Sequence, residues 1–329
     1  MFLANLLTAL FAVTTLKPGA LWYDTAGHVI NAHGGGVMCH EGTYWWYGEH
    51  RVYGKAGNRA HVGVHVYSSK DLLKWEDRGV ALEVEDYPLW SYMSMPGEAP
   101  KSKLVDGCLV ERPKVIFCAK TGKFSMFFHH ELKGRGYAEA LVGIAVSDRP
   151  EGPFKYLRSL RPNGKMSRDM TLYVDTDGKA YHIYASEENK TVHVDELTDD
   201  FLDYTGESTR VLIGDETEGL AVARRGGNYY LLGSGCTGWD ANPARLYVAD
   251  KITGPYMRFP ENPCCGRNPA NGVDGAKTWG GQSTFLLEVP GTDEVLAMFD
   301  IWNPANHEES RYVWLPIDFS GSQPTISFK

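Results

Sequence analysis

Residues 218–233, EGLAVARRGGNYYLLG, decide the fold. They read as a polar residue, an apolar run at 220–223, a Gly226-Gly227 turn and a second apolar and aromatic run at 229–233, the pattern of two antiparallel strands joined by a tight hairpin. Glu218 stands 9 residues ahead of Gly227, and the same interval of 9 separates His33 from Gly42, Asp169 from Gly178 and Gln282 from Gly291; Glu111 precedes Gly122 by 11. A strand-turn-strand unit that carries one polar side chain at the same place each time brings those side chains onto a common axis.

The surrounding sequence repeats with the hairpin. Short apolar, aromatic and β-branched runs lie at 35–39, 44–47 and 62–67; at 114–118, 124–128 and 142–146; at 171–174, 180–185 and 191–194; at 246–249 after the hairpin above; and at 283–287, 295–299 and 312–315. The third runs resemble one another (GVHVYSS at 63–69, GIAVSD at 143–148, RLYVAD at 245–250), and two of them lead into Gly-Pro-aromatic turns, Gly152-Pro153-Phe154 and Gly254-Pro255-Tyr256. Successive turns are 80, 56, 49 and 64 residues apart, close to the period of about 40–50 residues of a propeller blade once insertions are allowed. Each set reads as a meander of three or four strands. The expectation is an all-β, five-bladed β-propeller, in which radial repetition protects the sheet edges. A β-sandwich would also use many short strands, but it gives no reason for a fixed interval from polar residue to turn. The longest insertion, 83–108, carries Trp90, Tyr92, Met93 and Met95 and reads as a lid or strap over the first blade.

Composition agrees. A chain of 329 residues with 43% hydrophobic and 22% charged residues, 36 Gly, 9 Trp, 18 Tyr and 13 Phe is globular, rich in turns and in β-forming aromatics. A net charge of -8 without a Lys/Arg block excludes phosphate-neutralising nucleic-acid binding. Residues 1–15, MFLANLLTALFAVTT, are apolar but too short to span a bilayer and end in small residues. They read as a signal peptide ending near residue 16, without the usual positive flank, or as an edge segment packed on the domain. The propeller domain is then 17–329, with a secreted or extracellular location, periplasmic in a bacterium, and no membrane span. Cysteines at 39, 108, 118, 236, 264 and 265 show no C-x-x-C or zinc spacing, and no EF-hand loop is present. No metal site and no cofactor are expected. In a secreted chain one or two disulfides would form, with Cys264 or Cys265 as participants, while Cys118 reads as a buried small hydrophobe.

If the inner strands begin at one mouth of the channel, His33, Glu111, Asp169, Glu218 and Gln282 share a polar pocket. Taken singly, each would merely solvate a water-filled channel. As a matched set holding three carboxylates they point to glycosidic bond cleavage, which needs one protonated acid for the leaving oxygen and one group to position or deprotonate water. Crowded carboxylates raise one pKa and keep that acid protonated near neutrality. Trp239, Trp279 and Trp302 fall in loops where their rings would be exposed to stack on sugar faces.

Six ordered segments, Ala32-His33-Gly34-Gly35-Gly36, Glu111-Arg112-Pro113-Lys114, Ser167-Arg168-Asp169-Met170-Thr171, Ser186-Glu187-Glu188-Asn189, Ser234-Gly235-Cys236-Thr237-Gly238-Trp239 and Ser310-Arg311-Tyr312-Val313-Trp314-Leu315-Pro316, resemble glycoside hydrolase family 43, more narrowly its exo-β-1,3-galactanase branch. The resemblance runs from about residue 21 to 318. It implies a five-bladed propeller and an inverting glycosidase, with Glu218 as general acid and Asp169 as the carboxylate that tunes it and holds substrate. Where most of the wider family carries a base aspartate, this chain has Asn31-Ala32-His33. The branch likewise lacks the base and holds the attacking water with a glutamine, matched here by Gln282, which would act as amide or through its imidic acid form. Glu111 matches a glutamate of sugar recognition, and Glu49, Tyr137, Asn189, Thr237 and Trp239 match sugar contacts. His33 would be a substitute base or a structural histidine. At the acid strand the family commonly shows Glu-Ala-Pro where this chain has Glu218-Gly219-Leu220; Glu216 is the alternative acid, and the interval of 9 to Gly227 favours Glu218.

The implied function is release of galactose from β-1,3-galactan, the arabinogalactan backbone, or from other plant polysaccharide side chains. The alternatives are an arabinofuranosidase or β-xylosidase on the same fold, and a catalytically decayed carbohydrate-binding propeller.

Overall fold

Each of the apolar runs assigned above to the blades forms a strand, the 62–67 run from Gly63 onward. The computed structural model describes residues 16–85 and 104–328; the 1–15 segment and the residues Trp90, Tyr92, Met93 and Met95 of the insertion lie outside the described residues. The first sheet holds β1 (His33–His40), β2 (Thr43–Glu49), β3 (Gly63–Ser69) and β4 (Glu76–Glu83); the second holds β5 (Leu109–Cys118), β6 (Lys123–Glu131), β7 (Leu141–Ser147) and β8 (Lys155–Leu160). The third holds β9 (Met170–Val174), β10 (Ala180–Ser186), β11 (Thr191–Leu197) and β12 (Tyr204–Val211); the fourth holds β13 (Thr217–Arg225), β14 (Asn228–Gly235), β15 (Ala244–Ala249) and β16 (Met257–Arg258). The fifth adds the short β17 (Cys264–Cys265) and β21 (Thr325–Ser327) outside β18 (Gln282–Glu288), β19 (Val295–Ile301) and β20 (Arg311–Asp318).

The innermost strands β1, β5, β9, β13 and β18 touch in a closed ring, each against the next and β18 back against β1. This is a five-bladed β-propeller. Its apolar residues form five clusters, one between each pair of adjacent blades, which is how a chain of this length avoids the size limit of one core. At the closure between the fifth and first blades, Trp22, Trp46, Trp75, Tyr312 and Trp314 pack with centroids 4.7–6.1 Å apart, edge to face except for the tilted Trp22–Tyr312 pair.

The fixed interval has a mechanical cause. From the polar residue to the end of its strand is 7 residues in β1, β5 and β13, and the surplus of two in the second blade lies in a four-residue turn, 119–122, where β1 and β13 use two. Directly after the polar residue the ladder slips: between His33 and Gly36, Glu111 and Lys114, and Glu218 and Ala221. The residue next in sequence takes positive φ each time, Gly34 at 61°, Arg112 at 56° and Gly219 at 65°. Such bulges re-aim a side chain at the rim of a sheet. Gly219, where the family commonly has alanine, therefore suits a left-handed backbone that L side chains rarely adopt, and a Cβ there would lie 3.0 Å from both Gln282 Cγ and the Ser283 carbonyl.

Two expectations are corrected. Trp279 is fully buried, donating its indole N–H to the Cys265 carbonyl (3.1 Å) and packing edge-on against Phe299, so it is core rather than a sugar platform. All six cysteines are free. Cys264 and Cys265 are adjacent in β17 and point to opposite faces, one buried and one exposed, which keeps them from sharing a partner. Cys118 is buried as a small apolar residue. Both Gly-Pro bonds of the repeated turn device, at 152–153 and 254–255, are cis.

Candidate active site

A pocket of about 360 Å³ opens at the channel mouth, lined among others by Glu111, Asp169, Glu218, Gln282, Glu49 and Trp302. Four of the five axial positions thus meet. His33 does not line it: the ring is fully buried, stacks on Tyr312 at 5.0 Å and is held below its ordinary pKa by burial and then by the charge of Arg51. The first blade instead presents Glu49, which sits directly across from His33 in the β1–β2 ladder. A histidine sealed from water and driven neutral is structural here.

Glu218 is half-buried and lines the pocket. Burial first, then the negative charge of Asp169, raise its pKa to about 7, against the opposing pull of Arg112 and of hydrogen bonds from Cys236 and Gln282. Its Oε1 accepts from Gln282 Nε2 (3.0 Å) and its Oε2 from Asn189 Nδ2 (3.2 Å). Asp169 accepts the Gly219 N–H (2.9 Å) and pairs with Arg112 (2.8 Å), so the bulge beside Glu218 is tied to the carboxylate whose charge helps raise the Glu218 pKa. For a group that must be protonated to act, a pKa near 7 means kcat/KM holds on the acid side and falls about tenfold per unit above about pH 7. A pH–rate series of the free enzyme checks this.

All four hydrogen-bonding positions of the Gln282 amide are used. Nε2 donates to Glu218 and to Ser234 Oγ (3.0 Å); Oε1 accepts from Arg112 and from the Trp302 indole (3.0 Å). Arg112 is the hub beneath it, 5% exposed, also donating to the Ser283 carbonyl and, through its backbone N–H, to Glu49 Oε1 (2.9 Å).

On the opposite wall Tyr137 donates its hydroxyl to Glu111 Oε1 (3.0 Å). Burial alone would raise Glu111, but His129, Arg51 and Tyr137 outweigh it and hold the carboxyl well below its ordinary pKa. Glu49 is pushed the other way, chiefly by burial and also by Glu111, although it pairs with Arg51. Arg51 lies 5.2 Å over the Trp302 ring, and Trp239 packs edge-on against Trp302 at 5.6 Å, with about a third of its surface open. Thr237 does not line the pocket; it is exposed and braces its own loop through Asn242 (2.7 Å) and the Asp240 carbonyl. Glu216, the alternative acid, is also outside the lining. Sequence reasoning gave no role to Arg51, Arg112, His129, Arg168, Cys236 and Ser234, although Arg112, Arg168, Cys236 and Ser234 stand in the segments that carry the family resemblance. Among the described residues no His/Cys/Asp/Glu group is arranged to hold a metal ion.

A closed ring of strands that gathers carboxylates, arginines and tryptophans into one pocket, with Glu218 and Glu49 both raised in pKa, has the parts that glycosidic bond hydrolysis requires. The family model of the family 43 glycosyl hydrolases matches residues 36–297. The chain belongs to that family and is a glycoside hydrolase. It is similar to a family 43 β-1,3-galactosidase solved with galactodeoxynojirimycin, at 40% identity and a TM-score of 0.86 over 95% of this chain and 99% of that one. It is also similar to an exo-β-1,3-galactanase from Clostridium thermocellum, at 34% identity and a TM-score of 0.79 over 95% of this chain and 64% of that one. A curated xylosidase/arabinosidase from Humicola insolens is 29% identical over 133 residues, which are 36% of this chain and 38% of that protein.

Proposed function

We propose that the enzyme removes single galactose units from β-1,3-linked galactan by inverting hydrolysis. The observation that carries the substrate is the whole-length similarity to a β-1,3-galactosidase solved with a galactose-configured inhibitor. The similarity to the xylosidase/arabinosidase covers little more than a third of either chain. An acid poised at about 7 and held by two side-chain amides speaks against a decayed binding module.

In this reading Glu218 gives its proton to the glycosidic oxygen as the bond to the anomeric carbon breaks. Asp169 keeps that carboxyl protonated beforehand. Glu111, Glu49, Tyr137, Asn189 and Trp239 hold the sugar. Gln282 orients the attacking water, but its 3.0 Å contact with Glu218 is far shorter than the roughly 6.5–9.5 Å that inverting sites keep between their two groups. The amide is freed for water when Glu218 turns to the glycosidic oxygen. Two donors, Arg112 and Trp302, aim at Oε1, and an imidic O–H there would leave one of them without its acceptor. Gln282 therefore works as the amide, orienting water that keeps both protons until it bonds to the oxocarbenium-like centre; one proton then passes to bulk solvent at the mouth of the pocket, and solvent returns one to Glu218.

Chromatography of products from β-1,3-galactan tests the assignment. Galactose released by wild type and absent with Glu218→Gln supports it; release only from arabinofuranosides or xylosides, or from nothing, contradicts it. Secretion of the chain belongs to the same proposal, and processing near residue 16 would be seen in the mass of the exported protein.

A further inference from the structure

Behind Glu111 lies a chain of charged groups that bond breaking does not use. Glu111 and His129 are a directly opposed cross-strand pair of β5 and β6, and Glu131, two residues further along β6, points to the same side as His129. His129 Nδ1 lies 3.3 Å from Glu111 Oε2, and its Nε2 is 2.9 Å from Glu131 Oε1. Glu131 is fully buried and accepts the backbone N–H groups of Glu139 (2.9 Å) and Ala140 (3.0 Å). Those amides end the loop that carries Tyr137, whose hydroxyl returns to Glu111 Oε1 at 3.0 Å. The circuit closes on the carboxylate at the pocket wall.

We infer that His129 and Glu131 are positioning residues that set sugar selectivity, by holding Glu111 as an acceptor-only carboxylate beside Tyr137. The inference rests on the galactose reading above and deepens it. A buried carboxylate whose other partners are fixed has acceptor sites only for a hydroxyl hydrogen aimed at it. With Glu111 on the hydroxyl by which galactose and glucose differ, the gluco epimer leaves the site short of a bond, which is costly where water is excluded. The facing groups agree with a charged ring at 129: Glu111 and Glu131 raise its pKa to about 9 despite burial, and the neighbouring His130 is driven neutral by its own burial and by that charge. Arg51, 4.0 Å from Glu111, and Tyr137 complete the surroundings.

The test is calorimetric titration of galactodeoxynojirimycin and its gluco-configured counterpart at pH 7 into wild type, Glu131→Gln and His129→Gln, with the thermal midpoint of each variant recorded. Wild type is expected to prefer the galacto inhibitor, and both variants to lose at least about tenfold of that affinity with the gluco affinity unchanged, the scale of a charged hydrogen bond. A preference retained in the folded variants would reduce the circuit to a brace of the second blade and overturn the inference. Wild type without a preference would overturn the galactose reading and the inference with it. Independently of any variant, the ¹⁵N resonances of the wild-type His129 ring at pH 7 are expected to show both nitrogens protonated; a neutral ring contradicts the circuit.

Discussion

Glu218→Gln is expected to lower kcat on β-1,3-galactan by about 10²–10⁴, the range of a lost general acid, with KM close to wild type. The substitution preserves volume; its amide oxygen can go on accepting from Gln282, and its N–H group can be met by Asn189 once that side chain turns its unpartnered Oδ1 inward, so what is lost is the proton. A sugar alkoxide is a poor leaving group and needs that proton, whereas an acidic phenol does not. An aryl galactoside with such a leaving group should therefore retain far more of its rate. The same kinetics on Glu216→Gln should resemble wild type, because Glu216 is outside the pocket and only its backbone carbonyl engages Cys236 and Arg245. Equal losses from both variants, or a loss at Glu216 alone, would move the acid.

Gln282→Ala is expected to lower kcat by about 10²–10³, the effect of removing one preorganised polar group at a reacting centre, while inhibitor binding stays measurable. The pH profile gives a second readout. The Gln282 hydrogen bond is among the influences that lower the pKa of Glu218, so its removal raises that pKa, and the alkaline fall of kcat/KM should move to higher pH. A variant with undiminished kcat would remove Gln282 from the reaction. An unmoved alkaline limb would show that the 3.0 Å contact does not bear on the acid in solution.

The blades were legible because a propeller writes its repeat into local sequence: a polar residue, a bulge, an apolar strand and a tight turn. The interval proved informative even where it varied, since the two extra residues of the second blade are turn residues. In the third blade Asp169 lies just ahead of β9, whose strand ends at Val174, and a longer turn makes up the interval. Glu111, Asp169, Glu218 and Gln282 were legible as a set because they head inner strands. Glu49, by contrast, ends a second strand, and it reaches the pocket only because the bulged β1 turns His33 inward against Tyr312. Arg51 and His129 were invisible for a related reason. Arg51 reaches Glu111 of the next blade, which ring closure brings beside it, and His129 meets Glu111 through the β5–β6 register, and neither relation is written in spacing along a single strand. Trp279 misled because a loop position suggested exposure, whereas the loop folds back and buries the ring beside Phe299.

Release of galactose with inversion is the outcome on which every role proposed for Glu218, Asp169 and Gln282 depends. The direct measurement is ¹H NMR of the first product formed from β-1,3-galactan, read before the anomers equilibrate. The expected result is galactose as the sole small product, appearing first as the α anomer. Initial β-galactose, oligosaccharides in place of galactose, or no cleavage of β-1,3-galactan at all would contradict it.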